Sequence, residues 1–221
     1  MINEALFTYL EGYLTQRRRE LFLEVLKKRT RHFTVATEGV YQLHNTSAVI
    51  RSCDIFGIQD LHVVEEIQGK RIDKEIAMGA QKWVDLHRYD SVQSCVSQLK
   101  SEGYSIVATS PHGQAITPQE FDISKKAAFF FGKESDGLSD YVLEHADVRM
   151  TIPMYGFTES LNISVSAAII LQDVVSRLHK SDVDWQLSES QIREKQYDWM
   201  CKTIKSVKPI IERFKDQQEN A

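Results

Sequence analysis

The feature that most constrains this chain is an alternation of strand and helix patterns between residues 32 and 178. Six short segments are rich in β-branched and aromatic residues, which is typical of β-strands. They are HFTVATE, LHVVEE, KWVDLHRY, YSIVATS, AAFFFG and VRMTIP. Strands that alternate with helices build a parallel sheet that is buried on both faces. The sequence therefore predicts an α/β fold with a mainly parallel sheet and helices on both faces.

Helical patterns also lie outside this alternation, at the two ends of the chain. Residues 3–30 have helical spacing without proline, and a final basic helix follows a polar linker that begins after Lys180. We therefore expect three parts: an N-terminal helical extension over residues 1–31, an α/β domain over residues 32–180, and a C-terminal basic helical extension over residues 181–221.

Charge is distributed unevenly along the chain. The whole chain has 27 Lys and Arg against 31 Asp and Glu, a net charge of −4, which argues against gross polyanion binding. Residues 1–33 nevertheless hold seven Lys and Arg against four Glu, and residues 193–215 hold seven against three acidic residues. These basic ends are either solvated helix faces or an RNA-binding surface. The candidate RNA contacts are the arginine triplet (Arg17, Arg18 and Arg19) with Lys202, Lys205 and Lys208.

Several classes of protein are disfavoured by what the sequence lacks. Its three cysteines are odd in number and widely spaced, which argues against a disulfide framework or a zinc knuckle and suits a reducing cytoplasm. No apolar run approaches the ~20 residues that span a bilayer. The seven histidines do not have metal-ligand spacing, and the GxGxxG, GxxxxGK[ST] and HExxH motifs are absent. We expect a cytoplasmic protein without a metal or a membrane anchor.

Loops at the carboxyl ends of strands are where α/β proteins usually form their sites. The first such loop, QLHNTSAVIRSCD, contains Asn45 and Arg51. Structural explanations exist for both residues, since Asn45 would suit a helix N-cap and Arg51 would suit an ion pair with Asp54. These structural explanations and a catalytic role are both open at this point.

The loops FFFGKESDGLSD and IPMYGFTESLNIS are harder to explain by packing alone. They carry Glu134, Ser160 and Asn162, polar groups that packing does not require. Their glycines expose backbone amides, which suits a ligand that is bound mainly through the main chain.

Three segments, in this order and spacing, resemble motifs 1, 2 and 3 of the SPOUT superfamily of RNA methyltransferases. They are HNTSAVIRSCDIFG, GKESDGLS and IPMYGFTESLNISVSAAIIL. The similarity covers residues 33–178 and is to the TrmH (SpoU) branch, which methylates ribose 2′-hydroxyls. Ser47 stands where many members have Gly, and HNTSA instead resembles the tRNA guanosine-18 subgroup. Lys133, between Gly132 and Glu134, is a less usual residue for the family.

This resemblance implies a reaction, a cofactor and a set of site residues. The reaction is methyl transfer from S-adenosylmethionine to the ribose 2′-hydroxyl of a tRNA guanosine, position 18 in the D-loop. The implied catalytic residues are Arg51, Asn45, Glu134, Ser160 and Asn162. The implied cofactor-binding residues are Thr109, Gly132, Ile152 and Leu161. The resemblance also implies a C-terminal trefoil knot and a homodimer.

Two alternative functions remain open at the level of sequence. A ribosomal-RNA 2′-O-methyltransferase would share every catalytic residue, and a catalytically silent SPOUT dimer would bind RNA without modifying it. Within the last helical pattern of the α/β region, residues 160–178, small residues recur every four positions at Ser160, Ser164 and Ala168. This stripe either packs on the chain's own sheet or forms a subunit interface.

Overall fold

A computed structural model describes residues 3–40, 43–65, 79–110, 114–133 and 135–219. The chain divides into two compact units. Thr30–Trp185 form the unit called here the core unit, while Met1–Arg29 and Gln186–Ala221 together form the terminal unit. Within the described part of the chain, no helix has the length and apolarity needed to cross a membrane.

The core unit is built on a six-stranded sheet with the order β3-β2-β1-β5-β4-β6. Every neighbouring pair of strands is parallel. The strands are β1 Phe33–Glu38, β2 Asp60–Val64, β3 Asp85–Tyr89, β4 Ser105–Thr109, β5 Ala127–Phe131 and β6 Val148–Met150. The central strands β1 and β5 are buried along their whole length. The predicted α/β class with a mainly parallel sheet is confirmed.

Helices cover both faces of this sheet because its buried strands present apolar side chains to both sides. The helices are α3 Leu43–Ile55, α4 Val92–Ser101, α5 Asp140–His145 and α6 Ile163–Leu178. Phe129 and Phe131 of β5 belong to a core cluster that includes residues of α3 and α6. Phe130, which points the other way, packs in a second cluster with residues of α4 and α5. These clusters fix α3 and α6 on the same face.

The terminal unit contains four helices, α1 Glu4–Glu11, α2 Gln16–Leu26, α7 Glu189–Thr203 and α8 Val207–Glu219. Trp199 is buried at its centre, with its ring 5.5 Å from that of Phe22 and 5.5 Å from the Arg29 guanidinium carbon. Arg193 lies over the ring of Phe7. Aromatic and cation–π contacts therefore join the helices from the two ends of the chain.

Three helix boundaries differ from the expected ones, each for a local reason. The expected helix over residues 3–30 is two helices, because the Thr15 side chain accepts a hydrogen bond from the Arg18 amide and starts a new helix. The expected single C-terminal helix is broken between α7 and α8, where Ser206 has a φ of 57°. Helix α6 begins at Ile163 rather than at residue 160, because the Asn162 side chain caps it.

Candidate active site

A cavity of about 590 Å³ lies at the carboxyl ends of β4, β5 and β6, beside the start of α6. The four residues that the motif resemblance assigned to cofactor binding, Thr109, Gly132, Ile152 and Leu161, all line this cavity. They come from the end of β4 and from the segments that follow β5 and β6, and the parallel sheet brings these three strand ends to one edge. Ser160, assigned to catalysis, lines the same cavity.

The described residues after β5, 132–133 and 135–139, are held together by backbone hydrogen bonds, and we call them the motif 2 loop. Lys133 and Gly137 exchange two backbone hydrogen bonds of 2.9 Å each. A Cβ at Gly132 would lie 2.1 Å from the carbonyl carbon of Gly137 and 2.3 Å from the amide nitrogen of Leu138. The turn therefore requires glycine at position 132, because any side chain there would overlap backbone.

Hydrogen bonds also fix the other two walls of the cavity. The Thr109 hydroxyl donates to the carbonyl of Phe130 at 2.7 Å. The Ser110 amide donates to the carbonyl of Met150 at 3.0 Å, which joins the ends of β4 and β6. The hydroxyl of Thr109 thus has a structural partner, and a ligand would meet mainly backbone at this wall.

Motif 1 and motif 3 meet through two asparagine side chains. The Asn162 side-chain amide donates to Oδ1 of Asn45 at 3.0 Å. The Oδ1 of Asn162 accepts from the Ser164 amide at 2.9 Å and so caps α6. Asn45 is buried in the first turn of α3, inside the helix, so it is not the N-cap of that helix. The hydrogen bond therefore joins two predicted site residues that are far apart in the sequence.

The remaining predicted catalytic residues have different positions. Arg51 is exposed on α3 and is not part of the cavity lining. Within the described ranges it forms no ion pair with Asp54, so the simple structural explanation for Arg51 is not realised there. Glu134 lies outside the described residues.

Four charged residues outside the predicted set also line the cavity. They are Lys133, Asp136, Arg149 and Glu159. Asp136 and Glu159 stand inside the motif 2 and motif 3 segments, so their proximity to Gly132 and Ser160 was the available signal. No comparable pattern pointed to Arg149, which is a lone cation on the short strand β6.

A second polar cluster lies on β2 and β3, away from the cavity. Asp60 accepts hydrogen bonds from Nε of Arg31 and from Nε2 of His87, each at 2.9 Å. The His62 ring stacks on the His87 ring at 4.8 Å. Burial, with the nearby His87, lowers the pKa of His62 to about 4. The hydrogen bond to Asp60 raises the pKa of His87.

The described residues contain no group of three or more His, Cys, Asp or Glu placed to hold a metal ion.

Fold and site together define an α/β ligand-binding protein whose cavity is formed by loops at the strand ends. The sequence profile of the SpoU rRNA methylase family matches residues 32–172. The chain belongs to this family.

Relatives and solved structures agree with this assignment. The tRNA (guanosine(18)-2′-O)-methyltransferase of Borreliella burgdorferi is 38% identical over 205 residues, covering 91% of this chain and 94% of that protein. The crystal structure of the A. aeolicus TrmH/SpoU tRNA modifying enzyme has a TM-score of 0.77 and 32% identity, covering 86% of this chain and 98% of its own. The SpoU methyltransferase AviRb from Streptomyces viridochromogenes, solved with AdoMet, shares the fold at a TM-score of 0.63 and 23% identity, covering 72% and 65% of the chains.

Proposed function

We propose that this protein transfers a methyl group from S-adenosylmethionine to the ribose 2′-hydroxyl of guanosine 18 in the tRNA D-loop. The observation that carries the proposal is the convergence of Ser160 and the four expected cofactor residues on one cavity. Membership of the SpoU family and 38% identity to a tRNA (guanosine(18)-2′-O)-methyltransferase over 91% of the chain support the same reaction. The ribosomal-RNA alternative has less support because that relative is named for tRNA.

The cavity suits S-adenosylmethionine in size and in chemistry. Its volume of about 590 Å³ is within the range of roughly 300–1,000 Å³ of small-ligand sites. Ile152, Leu161 and Leu143 offer apolar contacts for a nucleoside, while Asp136 and Glu159 offer carboxylates. When bound, S-adenosylmethionine supplies an electrophilic methyl group.

The chain's own residues would act mainly by positioning the ribose oxygen. Good alignment in a pocket that excludes water lowers the barrier of such a transfer by roughly 7–11 kcal/mol. We assign Asn45 and Ser160 to orienting Arg51 and the ribose, and Asn162 and Glu134 to shaping the pocket. The Asn45–Asn162 hydrogen bond supports this division because it ties motif 1 to the start of α6.

Arg51 is assigned here a cationic role instead of a basic one. Arginine side chains in proteins carry a permanent positive charge, so a guanidinium is a poor base. Arg51 would orient an RNA phosphate and stabilise negative charge on the 2′-oxygen, while the proton passes to that phosphate. Because Arg51 lies outside the cavity lining, the site as proposed draws on two subunits.

A homodimer is therefore part of the proposal. Leu161, two positions before α6, forms an exposed apolar row at intervals of four with Val165 and Ile169 of the helix. Tyr155 and Phe157, in the loop before α6, are also exposed, at 97% and 108%. This row lies beside the expected small-residue stripe, of which only Ser164 and Ala168 are in the helix. Large exposed apolar patches mark interaction surfaces.

We also propose the trefoil knot in the C-terminal part of the core unit, the three-part division at residues 31 and 180, and a cytoplasmic location. The knot rests on family membership, since physical rules alone make knots rare.

The RNA contacts are assigned to the two basic ends. All three side chains of the arginine triplet are exposed on α2, as are Lys205 and Lys208 in the C-terminal part. The Lys202 ammonium already forms an ion pair with Asp198 at 2.7 Å, so it is less available to bind an RNA phosphate. The arginine triplet is therefore the stronger candidate for phosphate contacts.

Mass spectrometry of tRNA nucleosides tests the proposed reaction directly. After incubation with tRNA and S-adenosylmethionine we expect 2′-O-methylguanosine, mapped to position 18 by nuclease digestion. A ribosomal-RNA product without a tRNA product would favour the first alternative. RNA binding without any product would favour the silent dimer.

A further inference from the structure

Glu38 is a buried acidic residue that the proposed mechanism does not use. It is the last residue of β1 and has 7% of its surface exposed. Its Oε2 accepts a hydrogen bond from the backbone amide of Ser139 at 2.9 Å. A carboxylate this buried is costly unless it is hydrogen-bonded, so the contact with Ser139 has to be maintained.

Ser139 is the point where the motif 2 loop ends and α5 begins. Its side chain caps α5 by accepting a hydrogen bond from the Val142 amide. Ser135, Asp136, Gly137 and Leu138, immediately before it, line the cavity. The bond to Glu38 therefore anchors one end of a cavity wall to the central strand of the sheet.

The neighbour of Glu38 contacts the other end of the same loop. Gly39 has a φ of 64°, and a Cβ there would overlap Cε of Lys133. The aliphatic part of the Lys133 side chain thus lies against Gly39, and the Lys133 backbone pairs with Gly137. The end of β1 accordingly contacts the motif 2 loop on both sides of its turn.

We propose that Glu38 is a positioning residue that holds the motif 2 loop in the shape that binds S-adenosylmethionine. A ligand held mainly by backbone needs that backbone fixed in advance, and a hydrogen bond to a charged acceptor is stronger than a neutral one. The identity of the ligand as S-adenosylmethionine rests on the proposed function, whereas the effect of Glu38 on the loop does not.

The experiment compares Glu38→Leu, which removes the acceptor, with Glu38→Gln, which keeps an acceptor oxygen. We expect Glu38→Leu to weaken S-adenosylmethionine binding by about tenfold and Glu38→Gln by about threefold or less, measured by calorimetry. In the ligand-free protein, amides over residues 135–143 should exchange with deuterium faster in Glu38→Leu. The tRNA affinity should stay within about twofold, because Glu38 is buried and is not among the proposed RNA contacts.

Thr34→Val is the matched control on the same strand. The Thr34 hydroxyl is buried and donates to the carbonyl of Asp60 at 2.7 Å, at the end of β1 far from the loop. This change also removes a buried hydrogen bond, so we expect a loss of stability with unchanged S-adenosylmethionine affinity. Equal weakening by Thr34→Val and Glu38→Leu would overturn the inference, and so would unchanged loop exchange in Glu38→Leu.

A second pair of variants covers the case in which Glu38→Leu does not fold. Ser139 has a φ of −63°, the value that proline adopts, so Ser139→Pro deletes the amide donor without changing the backbone angle at position 139. We expect weaker binding in Ser139→Pro than in Ser139→Ala, and equal affinities would refute the role of Glu38. If the wild type does not bind S-adenosylmethionine while Glu38→Leu still speeds loop exchange, the proposed function fails and the positioning contact stands.

Discussion

Gly132→Ala is the most demanding test of the cavity. The added Cβ would lie 2.1 Å from the carbonyl carbon of Gly137, where ordinary contact is about 3.4 Å. The loop must therefore open by about 1.3 Å, and a displacement of that size breaks hydrogen bonds from the loop backbone to a ligand, each worth roughly 0.5–1.5 kcal/mol. We expect the dissociation constant for S-adenosylmethionine to rise about a hundredfold, which is about 2.7 kcal/mol, by calorimetry.

Gly156→Ala is the matched control for this change. It also adds one methyl group to a loop that borders the cavity, but a Cβ at Gly156 would have no neighbour within 4 Å. Its affinity should stay within about twofold of the wild type. If Gly132→Ala binds S-adenosylmethionine as tightly as Gly156→Ala does, the motif 2 loop is not the binding wall and the reasoning is refuted.

Three further changes test separate parts of the proposal. Arg51→Lys keeps the charge but loses the planar fork, so methyl transfer should fall at least about a hundredfold, about 3 kcal/mol in the barrier, with S-adenosylmethionine affinity unchanged; normal turnover would remove Arg51 from catalysis. Replacing the arginine triplet with Gln should flatten the slope of log tRNA affinity against log salt. The expected change is roughly 0.7–0.9 for each phosphate that the protein no longer neutralises. An unchanged slope would identify the triplet as a solvated helix face. Because the pKa of His62 is lowered to about 4, the folded state disfavours its protonated form, so the free energy of unfolding should fall as pH drops from about 6.5 toward 4. His62→Gln should reduce that fall by up to about 3 kcal/mol, measured by chemical denaturation. His87 is left unchanged in this variant, because its pKa is raised and it contributes the opposite trend. An equally steep fall in the free energy of unfolding of the variant would refute the assignment.

The interface proposal has its own test in Ile169→Glu. A carboxylate in the apolar row on α6 would be buried without a partner in the dimer, so we expect dissociation to monomers. Size-exclusion chromatography with light scattering measures the mass, and an intact dimer would locate the interface elsewhere. Glu212→Gln, an exposed change in the terminal unit, is the control that should leave the mass unchanged.

The parallel sheet was predictable because its strands are short, apolar and separated by helical patterns. Thr15 and Ser206 show what could not be predicted: periodicity continued through both positions, and a side-chain cap or one left-handed residue decided where the helices end. In the sequence, a single capping residue is a weaker signal than an apolar period of 3.6 residues, so these helix ends were not predicted.

In the site, the motifs named the residues but not their geometry. Asn45 and Asn162 were both candidates, yet nothing in the sequence placed their side chains 3.0 Å apart. Glu38 was inside the predicted strand segment HFTVATE, but nothing in the sequence indicated that its side chain contributes to the site. The contribution of Glu38 to the site depends on its hydrogen bond with the Ser139 amide, 101 positions away in the sequence. Only the fold brings two such distant groups together.

The terminal unit has a consequence for synthesis of the chain. Its first part is Met1–Arg29 and its second begins at Gln186, so the whole core unit is translated between them. At roughly 5–20 residues per second, the ribosome needs about 9–35 s to pass from Phe22 to Trp199. During that interval Phe22 on α2 lacks the Trp199 ring against which it packs in the folded terminal unit. The terminal unit therefore completes its core only after the core unit has been translated, although α1 and α2 leave the ribosome before that unit does.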